Sequence, residues 1–183
     1  MNELYLIRHG QTLANERHLY CGSTDLPLSP FGQQELRQLN YHLPPARFLT
    51  SGMQRTEQTL TLLFGDVPHE VEPEFREIDF GRFELHSYEE LKDDPDYQAW
   101  ISGDNHRNIP PGGESGEQMQ ARVFRALRRL EAEDTPTVLI THGGVIACIM
   151  EQLFPEEGKN LYQWQPKPGH GYAVQEGKYR PLP

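Results

Sequence analysis

The sequence predicts an α/β protein, a three-layer α/β/α sandwich around a mostly parallel sheet, and three segments carry that prediction. Leu4-Tyr5-Leu6-Ile7 is an unbroken apolar run, the pattern of a strand buried on both faces. Thr137-Val138-Leu139-Ile140-Thr141 repeats it near the other end of the chain. Both runs stop at a polar cluster with a glycine, Arg8-His9-Gly10 and His142-Gly143-Gly144. A shorter run, Arg47-Phe48-Leu49-Thr50-Ser51, leads into a helical pattern in the same way.

In chain order, the first strand is followed by a polar, turn-rich segment from Gly10 to Pro30 that includes Gly22-Ser23-Thr24-Asp25. A loop of that length in a compact domain is usually functional, and it is expected to form a pocket wall. Ser29 then caps a helix with Pro30 in its first turn, and Leu36, Leu39 and Leu43 give it an apolar stripe until Pro44-Pro45. The strand at 47–51 follows, then a helix from Met53 to Phe64 closed by Gly65, and Val71 belongs to a short edge strand. Residues 75–113 leave the βα rhythm and are expected to form a short lid over the carboxyl edge of the sheet. Within them Ser87-Tyr88-Glu89-Glu90 is a capping box, and Asp93-Asp94-Pro95 separates that helix from another carrying Tyr97 and Trp100. Ser115 to Glu133 reads as a helix with Met119, Val123, Ala126, Leu127 and Leu130 on one face. Val145 to Phe154 is the helix behind the strand at 137–141. Gly171 to Val174 is the last strand, in a hairpin with Lys178-Tyr179.

At 183 residues the chain suits one domain, 1–183, with a core that needs neither disulfides nor metal. A formal net charge of −10 argues against nucleic acid or an anionic membrane as partner. It also means that an anionic ligand needs locally concentrated positive charge. Cys21 and Cys148 are far apart and outside any CxxC spacing, which points to a reduced, cytoplasmic protein. The chain enters a strand almost at once, so no signal peptide is expected, and no apolar run approaches membrane-spanning length.

Ligands of open α/β sheets bind beyond the carboxyl ends of the strands. If the three strands are neighbours, His9, His142, Arg8 and Arg55 meet at one edge, and that is a phosphate site containing a nucleophile. A neutral imidazole can attack phosphorus through one nitrogen while the other is held by a hydrogen bond. The residues alone leave His9 and His142 open for that part. Arg8 and Arg55 present planar forks to phosphate oxygens, and Arg55 stands in the first turn of a helix, where anions are already favoured. A leaving alkoxide needs a proton and the later water needs a base. Glu77, Asp79, Glu84 and Glu114 are the candidates. None of the eight histidines falls at a metal-binding spacing, so no metal is expected.

Four motifs stand in order along the chain: Arg8-His9-Gly10-Gln11-Thr12 with Asn15; Ser51 through Arg55-Thr56 to Gln58-Thr59; Glu77 within Arg76-Glu77-Ile78-Asp79-Phe80-Gly81; and Thr141-His142-Gly143-Gly144. Together they resemble the histidine phosphatase superfamily, in the branch that includes the cofactor-dependent phosphoglycerate mutases, over Leu4 to about Val174. The resemblance implies a phosphoglycerate mutase-like fold, His9 as nucleophile and Glu77 as the proton-transferring carboxyl. It implies that His142, in its charged form, donates to the phosphate, and that Asn15, Thr12 and Gly143 border the same group. Glu84 stands where the family often has a glutamate before glycine, but Leu85 follows here. The short chain, Tyr97 to Trp100, and Pro111-Gly112-Gly113-Glu114-Ser115 resemble the α-ribazole phosphatases of cobalamin synthesis. The expected activity is hydrolysis of a small-molecule phosphate monoester, possible on α-ribazole 5′-phosphate, without cofactor, by a monomer or homodimer. A bisphosphoglycerate-dependent phosphoglycerate mutase and a non-catalytic phospholigand-binding module are the alternatives.

Overall fold

The computed structural model describes residues 3–104, 106–132 and 134–183. A six-stranded sheet runs β3-β2-β4-β1-β5-β6, with β1 Leu4–Arg8, β2 Arg47–Thr50, β3 His69–Val71, β4 Thr137–Thr141, β5 Gly171–Gln175 and β6 Lys178–Leu182. β1, β4, β2 and β3 are parallel, and β5 and β6 add an antiparallel hairpin. The three segments with chemistry behind them are therefore adjacent, β2-β4-β1. Arg8 lies opposite Thr141 in the parallel register, which brings the His9 and His142 positions side by side.

Alternation along β1 sorts its side chains to two cores. Leu4 and Leu6 pack with Leu49, Leu139 and Val174 against α6 Gly116–Glu131 and α7 Gly143–Leu153. Tyr5 and Ile7 pack with Val138, Ile140 and Ala173 against Leu60 of α3 Gln54–Phe64. All four β1 residues are buried, which stabilises by about 1.5–3 kcal/mol per side chain. Their interior position makes β1 the rigid base of the site.

The caps expected at Ser29 and Ser87 form, and Ser115 and Asp94 cap two further helices. Ser29 accepts from Gly32 N–H ahead of α2 Pro30–Leu36, Ser87 boxes with Glu90 ahead of α4 Tyr88–Leu91, and Ser115 boxes with Gln118 ahead of α6. Asp94 caps α5 Pro95–Ile101. Two bounds differ. The second helix stops at Leu36, well short of Leu43, and the chain beyond it turns so that Leu43 and Tyr41 cover the sheet, with Tyr41 hydroxyl donating to Gly169 carbonyl at 2.5 Å. Helix α6 is described to Glu131, and Glu133, where the sequence pattern placed its end, lies outside the described residues. The segment from Gly10 to Pro30, expected as loop throughout, contains one helical turn, α1 Leu13–Glu16.

Residues 80–101 build a third, aromatic cluster in which Phe83, Leu91 and Tyr97 pack with Tyr20, Phe80 and Trp100. It anchors the expected lid region on the wall formed by residues 19–25. No helix among the described residues is long and apolar enough to cross a membrane.

Candidate active site

His9 and His142 sit at the ends of β1 and β4 with ring centroids 5.1 Å apart, and both are buried. His9 Nδ1 is 2.6 Å from Gly10 carbonyl oxygen. A carbonyl only accepts, so Nδ1 carries the proton and Nε2 keeps its lone pair. Burial pushes His9 well below the ordinary imidazole value, and the charges of Arg55 and Arg8 push it further. His9 is therefore a neutral base with a fixed tautomer.

His142 is the N-cap position of α7. Its Nε2 lies 2.8 Å from Ser51 Oγ, and Ser51 Oγ lies 3.2 Å from Thr56 Oγ1, whose proton goes to Met53 carbonyl at 2.7 Å. That chain makes Ser51 the donor to Thr56 and His142 Nε2 the donor to Ser51. The remaining nitrogen, Nδ1, is buried without a protein partner. Burial first, then Arg55 and the other nearby cations, holds His142 well below its ordinary value. The protein groups alone favour the neutral ring, and the charged His142 that the resemblance implies is a state of the phosphate-bound site. Protonation at Nδ1 requires a compensating anion.

Both arginines are spent partly on the backbone and partly left open. Arg8 donates through Nη1 to Pro166 carbonyl at 2.8 Å, while its buried Nε has no protein partner. Arg55, 1% exposed, donates to Thr24 carbonyl at 2.9 Å and Gly22 carbonyl at 2.7 Å. Helix α3 is tied to the first motif as well, because Gly10 N–H donates to Thr59 Oγ1 and Thr59 donates to Arg55 carbonyl.

Glu77 accepts from Ile78 N–H at 3.0 Å and from Gly144 N–H, at the start of α7, at 2.9 Å. The absence of a side chain at Gly144 makes room for this carboxylate, since a Cβ there would stand 2.4 Å from Glu77 Oε1 and push it aside. The other carboxyl candidates are engaged elsewhere. Glu84 accepts from Gly22, Ser23 and Phe80 N–H and from the Thr24 hydroxyl. Asp79 accepts from Ser23 hydroxyl and Gly81 N–H, and Glu114 pairs with Arg122 at 2.7 Å. A cleft of about 300 Å³ opens beside Glu77, lined also by Ser23, Arg76, Asp79, Glu114 and Arg122.

Thr12 and Asn15 form a capping box around α1, with Thr12 N–H and hydroxyl both directed at Asn15 Oδ1. Thr12 is 1% exposed and occupied as a cap. Asn15 Nδ2 lies outside the box. Gly143 approaches Arg8 closely enough that a Cβ would sit 3.1 Å from its Nε. His170 contributes backbone only, its carbonyl accepting from Arg8 N–H while its ring turns to Pro168 carbonyl. Glu84, Ser51 and Arg122 are supporting residues to which sequence reasoning gave no such part. Among the described residues no three His, Cys, Asp or Glu side chains are grouped to hold a metal ion.

Residues 4–180 match the family model for the histidine phosphatase superfamily (branch 1). The adenosylcobalamin/alpha-ribazole phosphatase of Salmonella typhimurium is 33% identical over 180 residues, covering 93% of this chain and 89% of that protein. A crystal structure of a putative alpha-ribazole-5′-P phosphatase from Escherichia coli superposes with a TM-score of 0.83 at 27% identity, over 98% of this chain and 94% of that one. A phosphoglycerate mutase from Thermus thermophilus superposes at 0.74 with 37% identity, over 94% and 92%.

Proposed function

The chain belongs to the histidine phosphatase superfamily, and from that premise we propose that it hydrolyses small-molecule phosphate monoesters through a phosphohistidine at His9. The observation that carries this reading is the Nδ1 bond to Gly10 carbonyl, which leaves Nε2 of a neutral ring free among two arginines. Nε2 attacks phosphorus as the ester P–O bond breaks, and Glu77 hands its proton to the departing alkoxide. Glu77, now a carboxylate, takes a proton from water as that water breaks the N–P bond, which returns His9 neutral and releases phosphate. Arg8 Nε, and His142 Nδ1 once the bound anion has brought it a proton, are buried atoms without protein partners that suit oxygens of the transferring group, and Arg55 and Asn15 Nδ2 add donors. Thr12 serves the phosphate indirectly, by holding Asn15.

The leaving group extends from Glu77 into the adjoining cleft, whose polar lining suits a hydroxylated sugar. With the α-ribazole phosphatase relatives, that favours a nucleoside-like monophosphate such as α-ribazole 5′-phosphate as substrate. A mutase needs free cations for a second phosphate. Of the four cations in residues 75–113, Lys92 is paired with Glu89 at 2.7 Å, Arg107 with Asp104 at 3.6 Å and Arg82 with Asp94 and Asp96. Among the described residues that leaves Arg76, bonded through Nε to Ser51 carbonyl, as the one cleft cation without a carboxylate partner in that segment.

Rapid quench with labelled substrate tests the reading. Wild-type protein is expected to give an acid-labile, base-stable phosphoenzyme, absent from His9→Ala. Glu77→Gln is expected to form it from esters with good leaving groups while turning over slowly. Near-native turnover by His9→Ala would overturn the assignment.

A further inference from the structure

We infer that Arg122, paired with Glu114, is a positioning residue that sets the aim of the Glu77 carboxyl. Residues 76–80 lie in neither helix nor strand, so their carbonyls have no ladder to join, and buried or half-buried carbonyls need donors from elsewhere. Arg122, on α6, supplies them. Its Nη1 donates to Glu74 carbonyl and Arg76 carbonyl, both at 2.7 Å, and its Nη2 donates to Glu77 carbonyl at 3.1 Å. Nε and Nη2 make a forked pair with Glu114, at 2.7 and 2.8 Å. Glu114 completes the frame on the far side of Glu77: its N–H donates to Asp79 carbonyl at 2.9 Å, and its carboxylate accepts from Asp79 N–H at 3.4 Å.

A guanidinium has five N–H donors, and these five contacts use them all. Arg122 lines the cleft beside Glu77 yet has no donor left for a ligand, so its effect on the reaction passes through the backbone that carries Glu77. Both partners are mostly buried, with side chains 17% and 19% exposed, and neither fits the usual loose surface pair. The frame holds Glu77 at its main chain, and Gly144 N–H holds it at its carboxylate. Loss of Arg122 frees the main-chain end while the phosphate donors, on β1, α3 and α7, stay in place.

The inference rests on Glu77 as the proton donor proposed above, and the test separates the two. kcat/KM is measured on 2,4-dinitrophenyl phosphate, whose leaving group needs no proton, and on ribose 5-phosphate, whose alkoxide does. Arg122→Met, Arg122→Lys and Glu114→Gln are made in wild-type and Glu77→Gln backgrounds. Glu77→Gln is expected to lower ribose 5-phosphate turnover ~100-fold or more and to leave the dinitrophenyl ester within a few-fold. Arg122→Met is expected to lose ~30-fold on ribose 5-phosphate, the scale of a small misplacement of a catalytic group, with little loss on the dinitrophenyl ester. In the Glu77→Gln background it should lose nothing further, because the group it aims is gone. Arg122→Lys and Glu114→Gln should show the same pattern at smaller size, and they carry the test if Arg122→Met does not fold. Inhibition by vanadate, which reads the phosphate pocket, should stay within ~3-fold of wild type. Equal loss on both esters, no loss at all, or full loss persisting beside Glu77→Gln removes the inference alone. If Glu77→Gln itself fails to discriminate between the esters, the proton-donor reading falls and the inference falls with it.

Discussion

His9 and His142 are buried together beside Arg8 and Arg55, and each resists protonation for that reason. Unfolding releases them to an ordinary value of about 6.5, so below that pH the unfolded chain binds protons that the folded chain does not. Stability therefore falls as pH drops below about 6.5, by up to ~1.4 kcal/mol per pH unit for each ring, until the folded rings themselves protonate. Urea unfolding at pH 7.5 and 5.5 should show a larger loss for wild type than for a His9→Asn/His142→Asn variant. An equal loss would mean that the rings titrate normally. The same depression keeps the nucleophile unprotonated in mild acid, and the acid limb of kcat/KM is expected below pH 6.5. At Gly144 the expectation is steric: Gly144→Ala drives a methyl into the Glu77 carboxylate and should lower turnover of alkyl phosphates ~100-fold while the fold survives. That His9, Arg8, His142 and Arg55 would meet was legible in the sequence because the two histidines directly follow apolar strands, Arg8 ends the first of them, and Arg55 opens the helix after the third strand segment. The support of Arg122 and Glu84 was not, because their partners are backbone groups that distant turns bring together.

Among the elements, the turn at residues 22–24 carries more of the site than its polar, unpatterned sequence suggests. Its carbonyls hold Arg55, and its N–H and hydroxyl groups converge on Glu84. Glu84 thus fixes Arg55 through an intervening turn. Glu84→Ala removes several charge-assisted bonds, each worth about 1.5–3 kcal/mol. Competitive inhibition by orthophosphate should weaken by ~10-fold or more, whereas Glu84→Gln, which keeps acceptors, should recover part of it. Unchanged orthophosphate inhibition in Glu84→Ala would show that the turn holds Arg55 without it. The helix after Ser87 was read from its box, because Ser87 sits three residues before Glu90, whereas the one after Ser115 was read from its apolar face and its box with Gln118 was not named. The single turn α1 escaped because its box closes on Asn15, a residue outside the glutamate or glutamine signature. The second helix was read too long because Leu39 and Leu43 keep helical spacing while packing from an irregular segment.

At the scale of the whole molecule, a net charge of −10 disfavours a second phosphate, and of the two arginines lining the cleft beside Glu77, Arg122 is paired with Glu114 and Arg76 donates Nε to Ser51 carbonyl. Phosphate release is expected to exceed interconversion of 3- and 2-phosphoglycerate, with no activation by 2,3-bisphosphoglycerate. Efficient bisphosphate-dependent interconversion with little release would make the protein a mutase. The positive charge around His9 comes from the side chains of Arg8 and Arg55. Turnover of p-nitrophenyl phosphate should accordingly survive prolonged EDTA treatment, and full loss restored by zinc or magnesium would remove the histidine mechanism. The parallel sheet was legible from its apolar runs, but the antiparallel side of β1 depended on a hairpin whose pairing partner no local pattern names. That pairing has a consequence for synthesis. β1 leaves the ribosome long before its neighbours β4 and β5, which are made at residues 137–141 and 171–175, and Pro166 and His170 complete the hold on Arg8. A nascent chain halted before Gly171 carries an apolar strand with one edge unclosed, a template for self-association. Ribosome-stalled chains of increasing length should stay protease-sensitive and inactive until those residues emerge from the exit tunnel.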